Sequence, residues 1–448
     1  IMNTDLTSLK PALVWKHFAA MTQIPRPSFH EEKIRRYVLD VARSLGLECR
    51  EDAAHNVYVR KPASKGMENR AGVILQAHLD MVPQKNNDKK FDFLKDPIRA
   101  YVDGDWVTAD GTTLGADNGI GAAAILAVLE DDTLEHGPLE ALFTATEETG
   151  MAGAFGLKKG LLKGDILLNL DSETEGELYV GCAGGLDANI RFRSVPEPTP
   201  ARNYTAAIVA VKGLKGGHSG IQIVCQRANA NKLLFRLLRR WTAAHDLLLC
   251  SVDGGGLRNA IPREAFAFFG VPAETAGDVC ERCRAFAVEI VEEFKYTEPN
   301  LQMTLNKIEW VEWVLDPVTM QSLVGALVGL PNGVLAMSHA VEGLVETSSN
   351  LASVKLGAEG IVVTTSQRSS VESAKRYAAQ TVEAVLRLSG AEVAHSDGYP
   401  GWSPDPDSYL LHVTEQCYER LFAVKPKVRA IHAGLECGLF LEKYPELD

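Results

Sequence analysis

Long apolar segments are missing from this chain of 448 residues. The longest clean apolar run covers residues 119–129, well short of the roughly 18 residues that a membrane span needs. We therefore expect no transmembrane helix and no membrane partner. The first residues also lack the basic start of a secretory leader, and Lys16 and His17 interrupt the first apolar patch. The sequence thus predicts a cytoplasmic protein.

Basic residues are outnumbered by acidic residues, and cysteines are few. The chain has 46 Lys and Arg against 58 Asp and Glu, for a formal net charge of −12. Because basic residues are not in excess, the composition does not indicate a positively charged surface that binds phosphate backbones. We therefore expect no nucleic-acid partner. Its eight cysteines are scattered, which predicts reduced thiols rather than a disulfide framework. Cys280 and Cys283 form a CxxC pair, but its setting looks helical and no second pair completes a zinc ribbon, so we expect a packing role.

The remaining composition is that of an ordinary globular protein, with 46% hydrophobic and 23% charged residues. Helix and strand patterns alternate over about residues 1–180, which predicts an α/β domain with a mainly parallel sheet. Residues 204–394 have an α+β pattern, and Gly-rich breaks on either side of them predict an inserted second domain. A capping box at Ser28 to Glu31 predicts the start of one helix. The predicted strands are residues 56–60, 73–77, 139–145, 166–170, 206–211 and 361–365, and the predicted helices are residues 32–45, 115–129, 229–244, 371–388 and 408–421.

His78 stands at the carboxyl end of a predicted buried strand, and Asp80 follows two residues later. Ligands of α/β proteins bind outside this end of the strands. Residues 78 and 80 share one face of an extended segment, so Asp80 can accept from the ring nitrogen that His78 does not offer to a metal. An HxD pair by itself is a weak signal, and a histidine packed in the core is the alternative.

Acidic residues occur at equivalent places elsewhere in the first domain. Asp117 opens a predicted helix, Glu147 and Glu148 follow one predicted strand, and Asp171 follows another. Singly, each has an ordinary explanation as a cap, loop or turn residue. Together with one imidazole they suit two divalent ions that share a bridging carboxylate. Because adjacent glutamates do not easily point the same way, one can bind metal while the other takes a proton from water.

Short strings along the chain resemble those of the co-catalytic dizinc peptidases: HLD, GADNG, EE, DSE and GGHSG. Longer strings resemble the bacterial aminoacyl-histidine dipeptidases within that family, and the resemblance spans residues 12–448. It implies a homodimer and two divalent ions, zinc foremost, with cobalt and manganese as alternatives. It also implies an α/β catalytic domain (1–185 and 399–448) interrupted by an α+β lid and dimerisation domain (186–398). The longer strings are QAHLDMVPQKN, TLGADNGIG, GCAGG, GLKGGHSG, RNAIPRE, YPGW and HAGLECG.

Carried over residue by residue, the resemblance assigns roles within the first domain. It implies a cis peptide bond after Asp117, one of the rare non-proline cases. The implied metal ligands are His78 and Asp171 on one zinc, Asp117 as the bridge and Glu148 on the second zinc, with Glu147 as general base and Asp80 as the residue that orients His78.

The resemblance also assigns three residues of the inserted domain. It implies that His218 stabilises the tetrahedral oxyanion, and that Asn259 and Arg368 bind the substrate backbone and its C-terminal carboxylate. A simple tight turn is the alternative for the Gly-flanked His218, and a solvated surface charge is the alternative for Arg368, whose surroundings depart from the family wording. Whether His218 acts within its own chain or across a dimer interface stays open.

One departure concerns the second metal site. The family completes that site with a histidine in a segment beyond the position of Asp448, which implies an incomplete catalytic domain here and a weakly held second ion. His432 is the nearest candidate replacement, but its string matches an earlier family segment that lines the substrate site.

The sequence therefore predicts zinc-dependent hydrolysis of small unblocked dipeptides, with C-terminal histidine preferred. Water activated at the metals attacks, and Glu147 takes its proton. The alternatives are a dizinc amidohydrolase that acts on N-acyl amino acids, a catalytically impaired form, and a binding protein without activity.

Overall fold

The structure is a computed structural model that describes residues 5–194, 196–199, 203–243, 246–309, 313–357 and 360–448. The chain divides into two compact units. Unit 1 comprises Ile1–Tyr179, Pro406–Val428 and Leu439–Asp448, and unit 2 comprises Val180–Asp405 and Arg429–Gly438. In the part of the chain that the structure describes, every helix is too short or too polar to cross a membrane.

Every predicted helix corresponds to an observed one, although residue 244, the predicted end of one helix, lies outside the described residues. The α-helices are α1 (Ala12–Thr22), α2 (Glu32–Ser44), α3 (Ala116–Glu130), α4 (Ala152–Gly156), α5 (Ala230–Thr242), α6 (Ala276–Glu293), α7 (Pro317–Gly329), α8 (Glu372–Leu388), α9 (Tyr409–Phe422) and α10 (Glu436–Lys443).

Every predicted strand is likewise present. The strands are β1 (Glu48–Glu51), β2 (Val57–Lys61), β3 (Val73–His78), β4 (Ala100–Asp103), β5 (Trp106–Ala109), β6 (Leu139–Thr144), β7 (Ile166–Asn169), β8 (Glu177–Cys182), β9 (Gly184–Phe192), β10 (Glu197–Pro198), β11 (Tyr204–Lys212), β12 (Gly217–His218), β13 (Leu248–Gly255), β14 (Ala260–Ile261), β15 (Ala265–Pro272), β16 (Gln302–Lys307), β17 (Trp313–Val314), β18 (Gly333–Met337), β19 (Val345–Gly357), β20 (Gly360–Ser369), β21 (Glu392–His395) and β22 (Lys427–Ile431).

The central sheet of unit 1 has the strand order β1-β2-β6-β3-β7. Strands β6, β3 and β7 are parallel neighbours, whereas β1 pairs with β2 and β2 pairs with β6 in antiparallel fashion. The predicted α/β class is confirmed, but the expectation of a mainly parallel sheet is wrong, because the sheet is half antiparallel. Apolar patterning identifies a strand without encoding its direction, so the sequence could not resolve this point.

Helix α2 shows how the periodic pattern builds the core of unit 1. Ile34, Val38 and Ala42 recur every four residues and are fully buried against this sheet, as an amphipathic helix requires. The predicted capping box is wrong in detail. Glu31 is the N-cap of α2 but makes no side-chain cap, and Ser28 donates its hydroxyl to Asp80 instead.

Unit 2 is built on a large antiparallel sheet with the order β16-β11-β15-β13-β19-β20-β9-β21, and β18 also pairs with β19. Helix α5 packs on this sheet through Leu233, Leu237 and Trp241, all buried. This arrangement is the α+β pattern that the sequence predicts for the inserted domain.

The unit boundaries differ somewhat from the predicted ones at residues 185/186 and 398/399. The main difference is that Arg429–Gly438 belongs to unit 2. The backbone N–H of Ala183 donates to the carbonyl oxygens of Ile431 and Ala433, both at 3.0 Å, which ties this late segment to unit 2. Such a contact joins residues about 250 positions apart, so local sequence pattern does not reveal it.

Candidate active site

Three parallel strands bring the candidate residues of unit 1 to one edge of the sheet. His78 is the last residue of β3, Glu147 and Glu148 follow the end of β6, and Asp171 follows the end of β7. Because these strands are adjacent and parallel, their carboxyl ends lie side by side. The structure therefore brings together the segments that the sequence singled out.

Asp117 reaches the same edge from the start of α3. The bond between Asp117 and Asn118 is cis, as the family resemblance implied, and both residues depart from helical geometry. Gly121 allows the helix to approach the sheet. A Cβ at this position would collide with Asn118 Oδ1 and with the carbonyl oxygen of Leu170, the residue just before Asp171.

His78 lies at the centre of the cluster and is 1% exposed. Its Nε2 is 2.9 Å from Oδ1 of Asp117 and 3.5 Å from Oδ1 of Asp171. Ligand atoms of His78, Asp117 and Glu148 all lie within 4.8 Å of one another. Among the described residues this is the group that could hold a metal ion, and it contains Glu148 but not the neighbouring Glu147.

The cluster holds more negative charge than its own side chains neutralise. Burial and the nearby charge of Asp117 raise the pKa of Glu148 to about 7. The hydrogen bond with Asp117, together with burial, also raises the pKa of Glu173, whereas the hydrogen bond from His78 lowers the pKa of Asp117. Raised pKa values of carboxyl groups beside other negative charges show that a cation would stabilise this site.

These residues fit divalent metal ions by donor type and by spacing. Imidazole nitrogen and carboxylate oxygen are both zinc ligands, and two ligands about 2.0–2.1 Å from one tetrahedral ion lie about 3.4 Å apart. The 3.5 Å between His78 Nε2 and Asp171 Oδ1 matches that spacing. His78 Nε2 faces the carboxylates of Asp117 and Asp171, whereas Nδ1 lies on the side of Asp80.

Asp80 is more than a partner of His78. Its Oδ1 is 3.3 Å from Nδ1 of His78, a contact that does not meet the geometry of a hydrogen bond. The same carboxylate accepts the backbone N–H groups of Glu147 at 2.9 Å and Glu148 at 3.2 Å, and the hydroxyl of Ser28 at 2.7 Å. Burial opposes the charged form, but the contacts with His78 and these donors prevail and lower the pKa of Asp80. Asp80 thus fixes the loop that carries both glutamates.

Sequence reasoning missed Arg26, which lies under this site. Its fully buried guanidinium donates to the carbonyl oxygens of Leu79 and Asp80 at 2.8 and 3.0 Å and to that of Gly115. Burial lowers the pKa of Arg26 to about 10 despite the nearby carboxylates, so the group stays charged at neutral pH. Arg26 ties the end of β3 to the start of α3. An isolated arginine near the N-terminus carried no signal of this role.

In unit 2, strands β12 and β14 pair His218 with Ala260 and so place it beside Asn259. The Nδ1 of His218 accepts the backbone N–H groups of Gly220 and Ile221, each at 3.1 Å. A ring nitrogen that accepts two such bonds carries no proton, so the neutral imidazole holds its proton on Nε2. Burial and the charge of Arg368 lower the pKa of His218, which favours this neutral form.

Arg368 is buried, contrary to the alternative of a solvated surface charge. It is 7% exposed on β20, and it lines a pocket of roughly 420 Å³ together with Asn259 and Tyr399. Its guanidinium donates to the Tyr399 hydroxyl at 2.6 Å. Gly185 makes room for this contact, because a Cβ there would meet the Tyr399 ring at 2.6 Å. Within the described chain Arg368 forms no ion pair, and its Nε has no hydrogen-bond partner.

Two further residues of unit 2, Arg258 and His432, make polar contacts within that unit. Arg258 also lines the pocket, but this arginine is already paired with Asp187 at 3.2 Å. His432, the candidate replacement ligand, is buried and its Nε2 lies 2.7 Å from the Ser348 hydroxyl. Burial, and then the charge of Arg368, lower the pKa of His432 to about 3, so it is neutral.

The chain is similar to known peptidases along most of its length. The model of Peptidase family M20/M25/M40 matches residues 74–448. The cytosol non-specific dipeptidase of Escherichia coli (strain K12) is 45% identical over 445 residues, which covers 99% of this chain and 92% of that protein. The crystal structure of aminoacylhistidine dipeptidase from Vibrio alginolyticus is 45% identical, with a TM-score of 0.93, and the match covers 99% of this chain and 90% of that one.

A more distant structure shares the fold. The aminopeptidase PepT from Bacillus cereus is 14% identical, with a TM-score of 0.53 and coverage of 96% of this chain and 87% of that one. The family match, the two relatives at 45% identity and the carboxylate edge of unit 1 lead to one conclusion. The chain belongs to Peptidase family M20/M25/M40 and is a hydrolase that acts on peptide bonds.

Proposed function

We propose that this protein hydrolyses unblocked dipeptides, with a preference for C-terminal histidine, and that it uses two divalent ions, zinc foremost. The observation that carries the proposal is the buried and unpaired Arg368 in a pocket of roughly 420 Å³. A desolvated guanidinium without a carboxylate is costly until an anion binds, and its planar donors suit a carboxylate. The free carboxylate of a short peptide supplies that anion. The names of the two relatives at 45% identity support the same substrate class.

In the proposed reaction, His78, Asp117, Glu148 and Asp171 hold the ions, and Asp80 orients His78. Ions bound there supply Lewis-acid activation of the scissile carbonyl and of the attacking water. Glu147 takes a proton from that water and returns it to the leaving amine, which is work for a positioned general base. Its neighbour Glu148 belongs to the metal-binding group, so the two roles are divided between adjacent residues.

Three residues of unit 2 act on the substrate itself. His218, of the same or a second chain, donates a hydrogen bond from its Nε2–H to the developing oxyanion, and its neutral tautomer supports this role. Arg368 and Asn259 bind the C-terminal carboxylate and the backbone of the dipeptide. Tyr399 keeps the Arg368 guanidinium in place through its hydroxyl.

Cellular location and assembly complete the proposal. A cytoplasmic location is supported by the cytosol relative from Escherichia coli. The homodimer expected from the family resemblance stays a prediction, which light scattering of the purified protein can test.

A matched substrate panel tests the function. Each Xaa-His dipeptide is compared with its N-acetylated form and its C-terminal amide, after the bound metal has been measured. We expect turnover of the free dipeptide to be far higher than that of either blocked form, and a divalent metal to be present. Preference for the N-acetylated forms would instead support an amidohydrolase that acts on N-acyl amino acids. A chain with bound metal but without turnover of any of the three would support a binding protein.

A further inference from the structure

Thr146 has an uncommon backbone conformation directly before the two catalytic-loop glutamates. Its φ is +55°, in the left-handed region that β-branched residues rarely adopt. Such a conformation persists only when the surrounding contacts enforce it. The backbone turns here from β6 into the loop of Glu147 and Glu148, so whatever holds Thr146 also determines how both glutamates are presented.

Thr146 makes a buried hydrogen bond to Glu31, which lies outside the loop. The Thr146 hydroxyl donates to Oε1 of Glu31 at 2.7 Å, and the two residues are 6% and 2% exposed. The same oxygen of Glu31 accepts the backbone N–H of Phe29 at 3.1 Å, while Arg35 lies 3.7 Å from the other oxygen. Glu31 is therefore itself held in place on two sides.

The loop is held from its other side by Asp80 and by a hydrogen bond of its own backbone. Asp80 accepts the N–H groups of Glu147 and Glu148, and the carbonyl oxygen of Thr146 accepts from Ala152 at 3.1 Å. Among these contacts, only the hydrogen bond to Glu31 involves the side chain of Thr146. Because Glu31 belongs to the predicted capping box but its side chain does not cap α2, its burial and its contact across 115 positions need another explanation.

We propose that Glu31 is a positioning residue for the general base, and that it acts through Thr146 by holding the left-handed turn that presents Glu147. The inference rests on the proposed function in one respect, the role of Glu147 as base. The hydrogen bond between Glu31 and Thr146 spans two distant parts of unit 1, and it would couple the start of α2 to the catalytic loop.

Isosteric variants of the full chain test the proposal. Thr146→Val removes the hydroxyl but keeps the shape, and a misplaced reacting group costs up to about 100-fold, so we expect kcat to fall about 10- to 100-fold. The KM and the bound metal should stay near those of the unmodified protein. Thr146→Ser keeps the hydroxyl and should restore most of kcat. Thr22→Val is the matched control, because Thr22 is also a buried threonine of unit 1 but bonds to the Ala19 carbonyl in α1.

A double-mutant cycle tests whether the two residues act through one contact. Glu31→Leu should lower kcat like Thr146→Val, and the double variant should be no worse than either single variant. Glu31→Gln retains an acceptor oxygen and should keep most of the activity. Additive losses in the double variant, or a fall in kcat no larger than that of Thr22→Val, would overturn the proposal.

Hydrogen exchange supplies a readout that does not depend on activity. The amides of Glu147 and Glu148, followed in peptides that cover residues 145–150, should exchange faster in Thr146→Val and Glu31→Leu but not in Thr146→Ser or Thr22→Val. Unchanged exchange in the first two variants would overturn the proposal even if their activity fell. If the unmodified protein hydrolyses no dipeptide, the proposed function fails, and the exchange result still decides whether Glu31 holds the turn.

Discussion

Unit 1 gathers the carboxylates of Asp117, Glu148, Asp171 and Glu173 around one histidine, whereas unit 2 buries Arg368 beside a tyrosine in a pocket. In the first cluster the negative charge exceeds what the side chains neutralise, and the pKa of Glu148 rises to about 7 as a result of burial and the charge of Asp117. In the second, a positive charge is buried without an ion pair among the described residues. The sign of the uncompensated charge therefore matches the ligand proposed for each unit: cations for unit 1 and a carboxylate for unit 2.

Variants of the two adjacent glutamates of unit 1 test whether its carboxylate cluster binds metal ions and supplies a general base. Glu147→Gln should retain the bound metal but lower kcat by about 10²- to 10⁴-fold, the usual contribution of a general base. Glu148→Gln should lower the metal content as well, because only Glu148 belongs to the metal-binding group. Metal analysis after dialysis, together with steady-state kinetics, checks both variants. Exchanged phenotypes would show that the two roles are reversed.

His218 tests whether unit 2 contributes to the transition state. His218→Ala should lower kcat by about 10²- to 10³-fold, the effect of removing one oxyanion donor, and should leave the metal content unchanged. His412→Ala is a suitable control, because His412 is exposed on α9. Loss of metal in step with activity would mean that His218 is a ligand, and the division of roles between the units would then be wrong.

Variants of Arg368 test whether the positive charge of unit 2 binds the substrate carboxylate. Arg368→Met should lower kcat/KM for the free dipeptide by about 100-fold, since hydrogen bonds between charged groups contribute about 1.5–3 kcal/mol. Turnover of the C-terminal amide should change little. Arg258→Met is the matched control in the same pocket, because Arg258 is already neutralised by Asp187. An equal loss for free and amidated dipeptides would show that Arg368 does not bind the carboxylate.

In the metal-free protein, the stability of the two units should depend on pH in opposite directions. Burial lowers the pKa of His432 in unit 2 to about 3. Its unfolded pKa is about 6.5, so the unfolded state alone takes up a proton between these values. The stability that His432 contributes is thus present above pH 6.5 and is lost as the pH falls toward 3, by at most about 1.4 kcal/mol per pH unit.

For Glu148 the sign is reversed. Its pKa is raised to about 7 from an ordinary value of 4.5, so its contribution is present below pH 4.5 and is lost as the pH rises through 7. Urea unfolding from pH 4 to 8, with chelator present, measures both effects. The free energy of unfolding should change less steeply with pH below pH 6.5 in His432→Gln. Between pH 4.5 and 7 it should change less steeply in Glu148→Gln. Parallel slopes in all three proteins would contradict the assigned pKa shifts.

The secondary structure and the composition of the acidic site follow directly from the sequence. Apolar residues recur every second or every third to fourth position, and this local periodicity predicts the strands that end near His78, Glu147 and Asp171. Parallel α/β strands collect their carboxyl ends at one edge, so the neighbourhood of these residues was also predictable. The family resemblance added the cis bond after Asp117, which the structure contains.

Only the tertiary structure decided how the individual side chains are used. Arg368 is buried without an ion pair among the described residues, although the sequence allowed a surface charge. Two backbone amides determine the tautomer of His218. Glu31 looked like a helix cap but bonds to Thr146, and residues 429–438 joined unit 2. The physical reason is the same in each case. Local pattern reports what a residue can do, whereas charge state, tautomer and hydrogen-bond partner depend on the groups that the folded chain places around it, which for Glu31 come from 115 positions away.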